Sequence, residues 1–171
     1  VASAVLLREV EMGGYDLLAV SGSRASIRER VFGGTVQRLM RTCPCPVLVV
    51  RPPGGEPGGT VLAAVAPELG DEARMASSVA VLQAAVVLAR AQNCALQVAH
   101  CWALAGESVL IGTAGIHRSQ MASLLAAAHR SAKAAVKDLL RRVDLSGIRY
   151  SVCVRKGDPL KLIPEFADAR R

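Results

Sequence analysis

Short apolar runs alternate along this chain with longer segments of helical period. Residues 17–20, Val47–Val50, Thr60–Val65 and Ala95–Trp102 are brief and almost continuously apolar. Runs of that length, bounded by Gly, Pro and polar residues, predict strands of a parallel sheet covered on both faces. A fifth run, residues 149–154, alternates more between apolar and polar, which places it nearer a sheet edge. Helices are expected over residues 2–12, from Ser26 to just before Pro44, over 71–92, over 119–143, and from Gly157-Asp158-Pro159 to Arg171. Gly13-Gly14 closes the first helix, and Gly70-Asp71 caps the third. Pro159 stands in the first turn of the last, where its missing N–H costs nothing. In the first helix Val5, Leu6, Val10 and Met12 fall near one face. In the second, Val31, Thr35, Leu39 and Met40 share a face, with Arg28, Arg30, Arg38 and Arg41 mostly elsewhere.

Strands that alternate with helices predict an α/β protein with a doubly wound, parallel, five-stranded sheet. Right-handed crossovers put helices on both faces. Ligands of such sheets bind beyond the carboxyl ends of the strands, where strand order reverses. One segment interrupts the pattern: Pro52-Pro53-Gly54-Gly55-Glu56-Pro57-Gly58-Gly59. It holds neither a helix nor a central strand, so residues 52–59 are expected to be a linker between a segment 1–51 and a segment 60–171.

Composition narrows the function classes. Half of the 171 residues are hydrophobic, but aromatics are only 3%, so the core must be built from Ala, Val and Leu. The net charge is +7, with 17 of the 21 basic residues being Arg. No Lys/Arg block of four or more occurs. With so few aromatics there is no stacking platform for single strands, and specific nucleic-acid binding is not expected. The longest apolar run, residues 79–89, is interrupted by Gln83 and too short to span a bilayer. No basic n-region precedes an apolar run at the start, so a cytoplasmic location is expected. The five cysteines, Cys43, Cys45, Cys94, Cys101 and Cys153, are then read as reduced thiols. Cys43-Pro44-Cys45 has no second pair for zinc, which leaves a structural reading beside a redox or metal one. Cys101 and Cys153 fall in strands as small core residues.

Several motifs resemble the universal stress protein family. YDLLAVSGSRASIRERVFGGTVQRLMRTCPCPVLVVR, residues 15–51, is similar to the family's closing β-loop-α-β unit. VLAAVAP, HCW and RKGDPLKLIPEFAD resemble its opening strand, the end of its second strand and the step into its third helix. The resemblance covers nearly the whole chain apart from the linker, and it implies the adenine-nucleotide alpha-hydrolase-like fold. The helix that precedes the family's fourth strand has two counterparts, residues 2–12 and 159–170. A circular permutation would split that helix, not duplicate it. The chain is therefore read as the end of one domain, 1–51, joined to most of the next, 60–171. The nine residues Arg51 to Gly59 reach roughly 30 Å when extended, enough for the two pieces to complete one sheet.

The resemblance also implies a nucleotide site, with ATP and Mg as its candidate cofactors. The family's phosphate loop reads G-x-x-G-x9-G-[ST], and glycines there let the backbone approach phosphates at a helix N-terminus. The candidate residues are Gly22, Ser23, Arg24, Gly33, Gly34 and Thr35 from the loop, with Ala66 and Cys101 from the adenine side. The match is imperfect. Counting from Gly22 puts Ala25 in the second glycine position, and counting back from Gly34 puts Ser21 and Arg24 in the glycine positions. Arg24 could pair with a phosphate. Gly33-Gly34 could instead serve close helix packing alone. Ala66 stands where nucleotide-binding members carry Asp, and it accepts no hydrogen bond. No catalytic set and no metal set is found. His100 reads as a hydrogen-bonded core residue, His117 as a loop residue and His129 as an exposed helix residue. The chain is accordingly expected to be non-enzymatic and to act as a stress-response homodimer through the strand Val47–Val50, the family's usual dimer edge. Two alternatives stand beside it: an ATP-binding switch or slow nucleotide hydrolase, and a regulatory module of a transporter.

Overall fold

The computed structural model describes residues 2–21, 34–50, 59–104, 106–107 and 118–168. The chain divides into two compact units, Val1–Gly55 and Glu56–Arg171.

In the first unit helix α1 (Ala2–Gly13) leads to strand β1 (Leu18–Ser21), and helix α2 (Gly34–Thr42) to strand β2 (Val47–Val50). Gly14 ends α1 at φ +62, a left-handed turn that a side chain resists. β1 and β2 are parallel, from Leu18 opposite Val47 to Ser21 opposite Val50. The Leu18 N–H donates to the Pro46 carbonyl at 3.0 Å and opens the ladder. The helix faces meet expectation at Val10 and Leu39 and differ from it at Val5, Met12 and Met40. Val5, Met12 and Met40 are exposed, while Ser3, Val10 and Leu39 are buried. Ser3 and Val10 lie two turns apart on one seam with Leu6 and Leu7 between them, and a 3.6-residue period swings Val5 and Met12 off it. Both strands alternate, with Val47 and Val49 half-buried and Leu48 and Val50 exposed.

The second unit holds β3 (Thr60–Val65), α3 (Glu72–Ala91), β4 (Ala95–Trp102), α4 (Arg118–Arg141), β5 (Tyr150–Lys156) and α5 (Pro159–Asp168). Its strands are parallel in the order β3-β4-β5. Within each unit the described strands are therefore parallel. They hydrogen-bond as a pair and a triplet, where the sequence predicts one sheet of five, because each sheet belongs to its own unit. β5 runs two residues further than expected, since pairing with β4 continues to Lys156 opposite Trp102.

Pleating sorts the side chains of the triplet to two faces. On one face Ala63, Val65, Leu96 and Val98 meet Met75, Leu82, Ala85, Val86 and Ala89 of α3 and Leu139 of α4. On the other, Ala99 meets Leu162 and Phe166 of α5, with Leu62, Cys101 and Cys153 beside them. Helices therefore cover both faces, as a doubly wound sheet requires. α3 is long and apolar enough to cross a membrane by length and composition. Its buried stripe, Met75, Ser78, Leu82, Ala85, Val86 and Ala89, has the spacing of a helix packed on a sheet. Asp71 caps it by accepting the Arg74 N–H at 3.0 Å. Asn93, at φ 48, ends it. There the Cys94 N–H reaches the Ala89 carbonyl and the Asn93 N–H the Arg90 carbonyl, a Schellman closure made with Asn in place of Gly. Pro164 sits inside α5 and leaves the Leu160 carbonyl without its helical donor.

Exposed ion pairs frame this unit. Arg142 of the α4 C-terminus holds both Glu72 oxygens, at 2.9 and 3.2 Å, and also Asp138. Arg90 reaches Asp144 at 3.0 Å. The hydroxyl and N–H of Ser146, followed by Arg90, lower the Asp144 carboxyl from 3.8 to about 2. A lowered carboxylate stabilises the fold above its ordinary value, and that contribution is lost as pH falls through its folded value. Acid titration of the Trp102 fluorescence signal should therefore show stability falling between pH 3.8 and about 2. Asp144→Asn should be less stable at neutral pH and show a shallower decline over that window. An unchanged profile would remove Asp144 from the account.

Candidate functional site

The carboxyl ends of β3 and β4 are where a parallel sheet offers a ligand site. Ala66 is the first residue past β3 and is exposed. The register that sets Val65 opposite His100 places Ala66 level with Cys101. A cavity of about 410 Å³ opens beside Ala66 along β3, lined by Ala64, Asp71, Arg74, Ser77, Ser78 and Val81 among others. Its one cation among the described residues is engaged: Arg74 pairs with Glu68 at 2.9 Å and with Asp71 at 3.4 Å. Glu68 and Asp71 are joined by a short antiparallel bridge, which Gly70 turns. The N-terminus of α3 is also occupied, by the Asp71 cap and by Glu72 in the first turn. The Asp71 carboxylate accepts the Arg74 N–H, a donor that a phosphate there would otherwise use, and Glu72 adds negative charge to the first turn. The cavity is therefore walled by methyl and hydroxyl groups, with its charges already paired.

Cys101 is half-buried on the α5 face beside Cys153. Burial pushes its thiol up, the neighbouring Cys153 adds to this, and Arg155 opposes it. A protonated, packed thiol is a poor nucleophile and a poor metal ligand. His100 is buried and its Nδ1 lies 3.0 Å from the Val65 carbonyl. A carbonyl only accepts, so Nδ1 carries the proton, and the ring ties the ends of β3 and β4 together. This is the hydrogen-bonded core histidine that the sequence suggests. His129 differs from expectation. It is half-buried and stacks on Trp102, with ring centroids 5.3 Å apart and planes inclined by 12°. Alternation along β4 puts Trp102 on the α4 face, which brings the rings together. Among the described residues, no group of three or more His, Cys, Asp or Glu could hold a metal ion.

Gly157 shapes the same end of the sheet. Its N–H donates to the Trp102 carbonyl at 2.9 Å, and its φ of +146 suits glycine alone. A Cβ there would stand 3.0 Å from Leu162 Cδ1. The Asp158 carboxylate then accepts the Leu160 N–H at 3.0 Å and starts α5.

Of the residues singled out by sequence, the structure brings Ala66 and Cys101 to one end of the second unit. Gly34 and Thr35 open α2 in the first unit. Gly22, Ser23, Arg24 and Gly33 lie outside the described residues, as do Val31, His117 and the helix segment expected from Ser26 to Gly33. The engagement of Arg74 is not among the sequence expectations. The signal was present in the sequence as Glu68, Asp71 and Glu72 crowded around one Arg at a helix start.

The universal stress protein family model matches residues 2–51. No curated protein matches the chain. Among solved structures, a protein of unknown function from Pseudomonas aeruginosa PAO1 superposes with a TM-score of 0.70 at 18% identity, over 98% of this chain and 53% of that one. A candidate universal stress protein from Pseudomonas aeruginosa UCBPP-PA14 gives 0.63 at 16% identity, over 96% of this chain and 52% of that one. The chain thus spans about half the length of these solved structures. Residues 2–51 thus match the universal stress protein family model, and nearly the whole chain shares the fold of these two solved structures.

Proposed function

We propose that the chain is a non-enzymatic, cytoplasmic stress-response module that acts by association through β2, and that its adenine pocket has lost nucleotide affinity. The observation that carries this reading is the surface of β2. Leu48 and Val50 are exposed by 37% and 51%, on a strand whose one partner among the described strands is β1. An edge without a second partner among the described strands, on a strand with branched apolar side chains, invites another strand. The loss of nucleotide affinity is supported by Ala66, which offers a methyl group where a ribose or adenine acceptor is needed, and by Arg74, which is held by two carboxylates.

Calorimetric titration with ATP and magnesium tests the pocket. Neither heat nor a thermal shift is expected up to millimolar ligand. Saturable binding would overturn the lost-pocket reading and favour a nucleotide switch. Ala66→Asp supplies the missing acceptor, so a gain of binding in that variant alone would support the assignment of the pocket.

A further inference from the structure

Cys43 and Cys45 bracket Pro44 between the end of α2 and the start of β2. The Cys43 N–H donates to the Leu39 carbonyl at 2.9 Å, which fixes it to the last turn of the helix. On the other side, the bond from Leu18 N–H to the Pro46 carbonyl fixes the chain to the sheet. Pro44 holds φ and stiffens the link. The two sulfurs lie 3.6 Å apart, one thiol donating to the other. Both residues are half-buried and reduced. A separate cavity of about 380 Å³, lined by Val10, Glu11, Gly14, Tyr15, Pro44 and Cys45, opens onto the Cys45 side of the pair. No third metal-ligating side chain joins them among the described residues. Two sulfurs in contact, one opening onto a cavity and neither with a third ligand, suit covalent dithiol chemistry.

We propose that Cys43 and Cys45 form a dithiol modification site, which a low-molecular-weight disulfide of the glutathione type oxidises to an intrachain disulfide. Burial, followed by the hydrogen bond and charge of Cys43, pushes the Cys45 thiol up. Cys45 therefore holds its proton more tightly, and the other sulfur of the contact, Cys43, is taken as the first nucleophile. The Cys43 thiolate attacks one sulfur of the reagent. A mixed disulfide forms and one reagent thiolate leaves. Cys45 then loses its proton and attacks the Cys43 sulfur, and the second reagent thiolate leaves. The protein gives up two thiol hydrogens and two electrons, and the reagent disulfide is reduced to two thiols. A ring closed across one intervening residue is tight, and strained disulfides are the readily reduced ones, so the modification should reverse with excess thiol.

Oxidised glutathione is the probe. After treatment, alkylation and tryptic digestion, Cys43 and Cys45 fall in one peptide, residues 42–74, because Arg51 precedes Pro52. In the wild-type chain this peptide should lose two hydrogens and resist alkylation until a reductant is added. Cys45→Ser should stop at a glutathione adduct on Cys43, whereas Cys43→Ser should leave Cys45 largely open to alkylation. A wild-type peptide that stays doubly alkylated, or that carries an adduct and never closes, would overturn the proposal whether or not the variants fold.

Discussion

Leu82→Ala should destabilise the second unit by about 2–5 kcal/mol. Leu82 is 0% exposed and sits mid-stripe on α3, inside the cluster that joins α3 and α4 to β3 and β4. Of the cluster in which the hole would open, Ala63, Ala85 and Ala89 are small and are held by sheet and helix backbone. They have no rotamers with which to fill it, so most of the cavity term remains. The single tryptophan, Trp102, lies in this unit and reports its unfolding by fluorescence during denaturant titration. Val87→Ala, on the same helix but 64% exposed, is the matched control and should lie within about 0.5 kcal/mol of wild type. Equal effects of the two substitutions would contradict the packing described for α3.

Gly157→Ala is expected to be destabilising by about 1–3 kcal/mol, the range for a residue forced into a sparsely populated backbone region. Strain is only part of the effect. The added methyl would press on Leu162, which is 7% exposed and packed on Ala99 with Phe166. Relief requires α5 to shift away from the sheet or the Gly157–Trp102 hydrogen bond to lengthen. Either movement disturbs the carboxyl end of β4, where Cys101 and Trp102 stand. The substitution should therefore change native-state Trp102 fluorescence as well as the denaturation midpoint. A variant with wild-type stability would show that the φ of +146 is not needed there.

The elements were legible where local chemistry was strong. Asp71 and Pro159 mark helix starts, and Gly14 a helix end, through capping rules that act over one turn. β3 and β4 announced themselves as apolar runs. What escaped were features decided by a neighbour. Val5 and Met40 look like core residues by type but are exposed, while Ser3 is buried beside the expected Val10 and Leu39. Asn93 closes α3 in a left-handed conformation that composition alone does not mark. His129 looks like a surface residue of an Ala-rich helix until β4 brings Trp102 beneath it. The candidate site was legible only as residue types. Ala66 was recognisable as an absence of acceptor, whereas the capture of Arg74 by Glu68 and Asp71 depends on a turn geometry that sequence spacing does not specify.

The central claim, that the module works through β2, is tested most directly by sedimentation of the wild-type chain at micromolar concentration beside the double variant Leu48→Lys and Val50→Lys. Both side chains are exposed, so the substitutions place charges on the strand surface with little effect on the fold. The account predicts a dimer for the wild type and a folded monomer for the variant. A monomeric wild type, or a variant that remains dimeric, would contradict it.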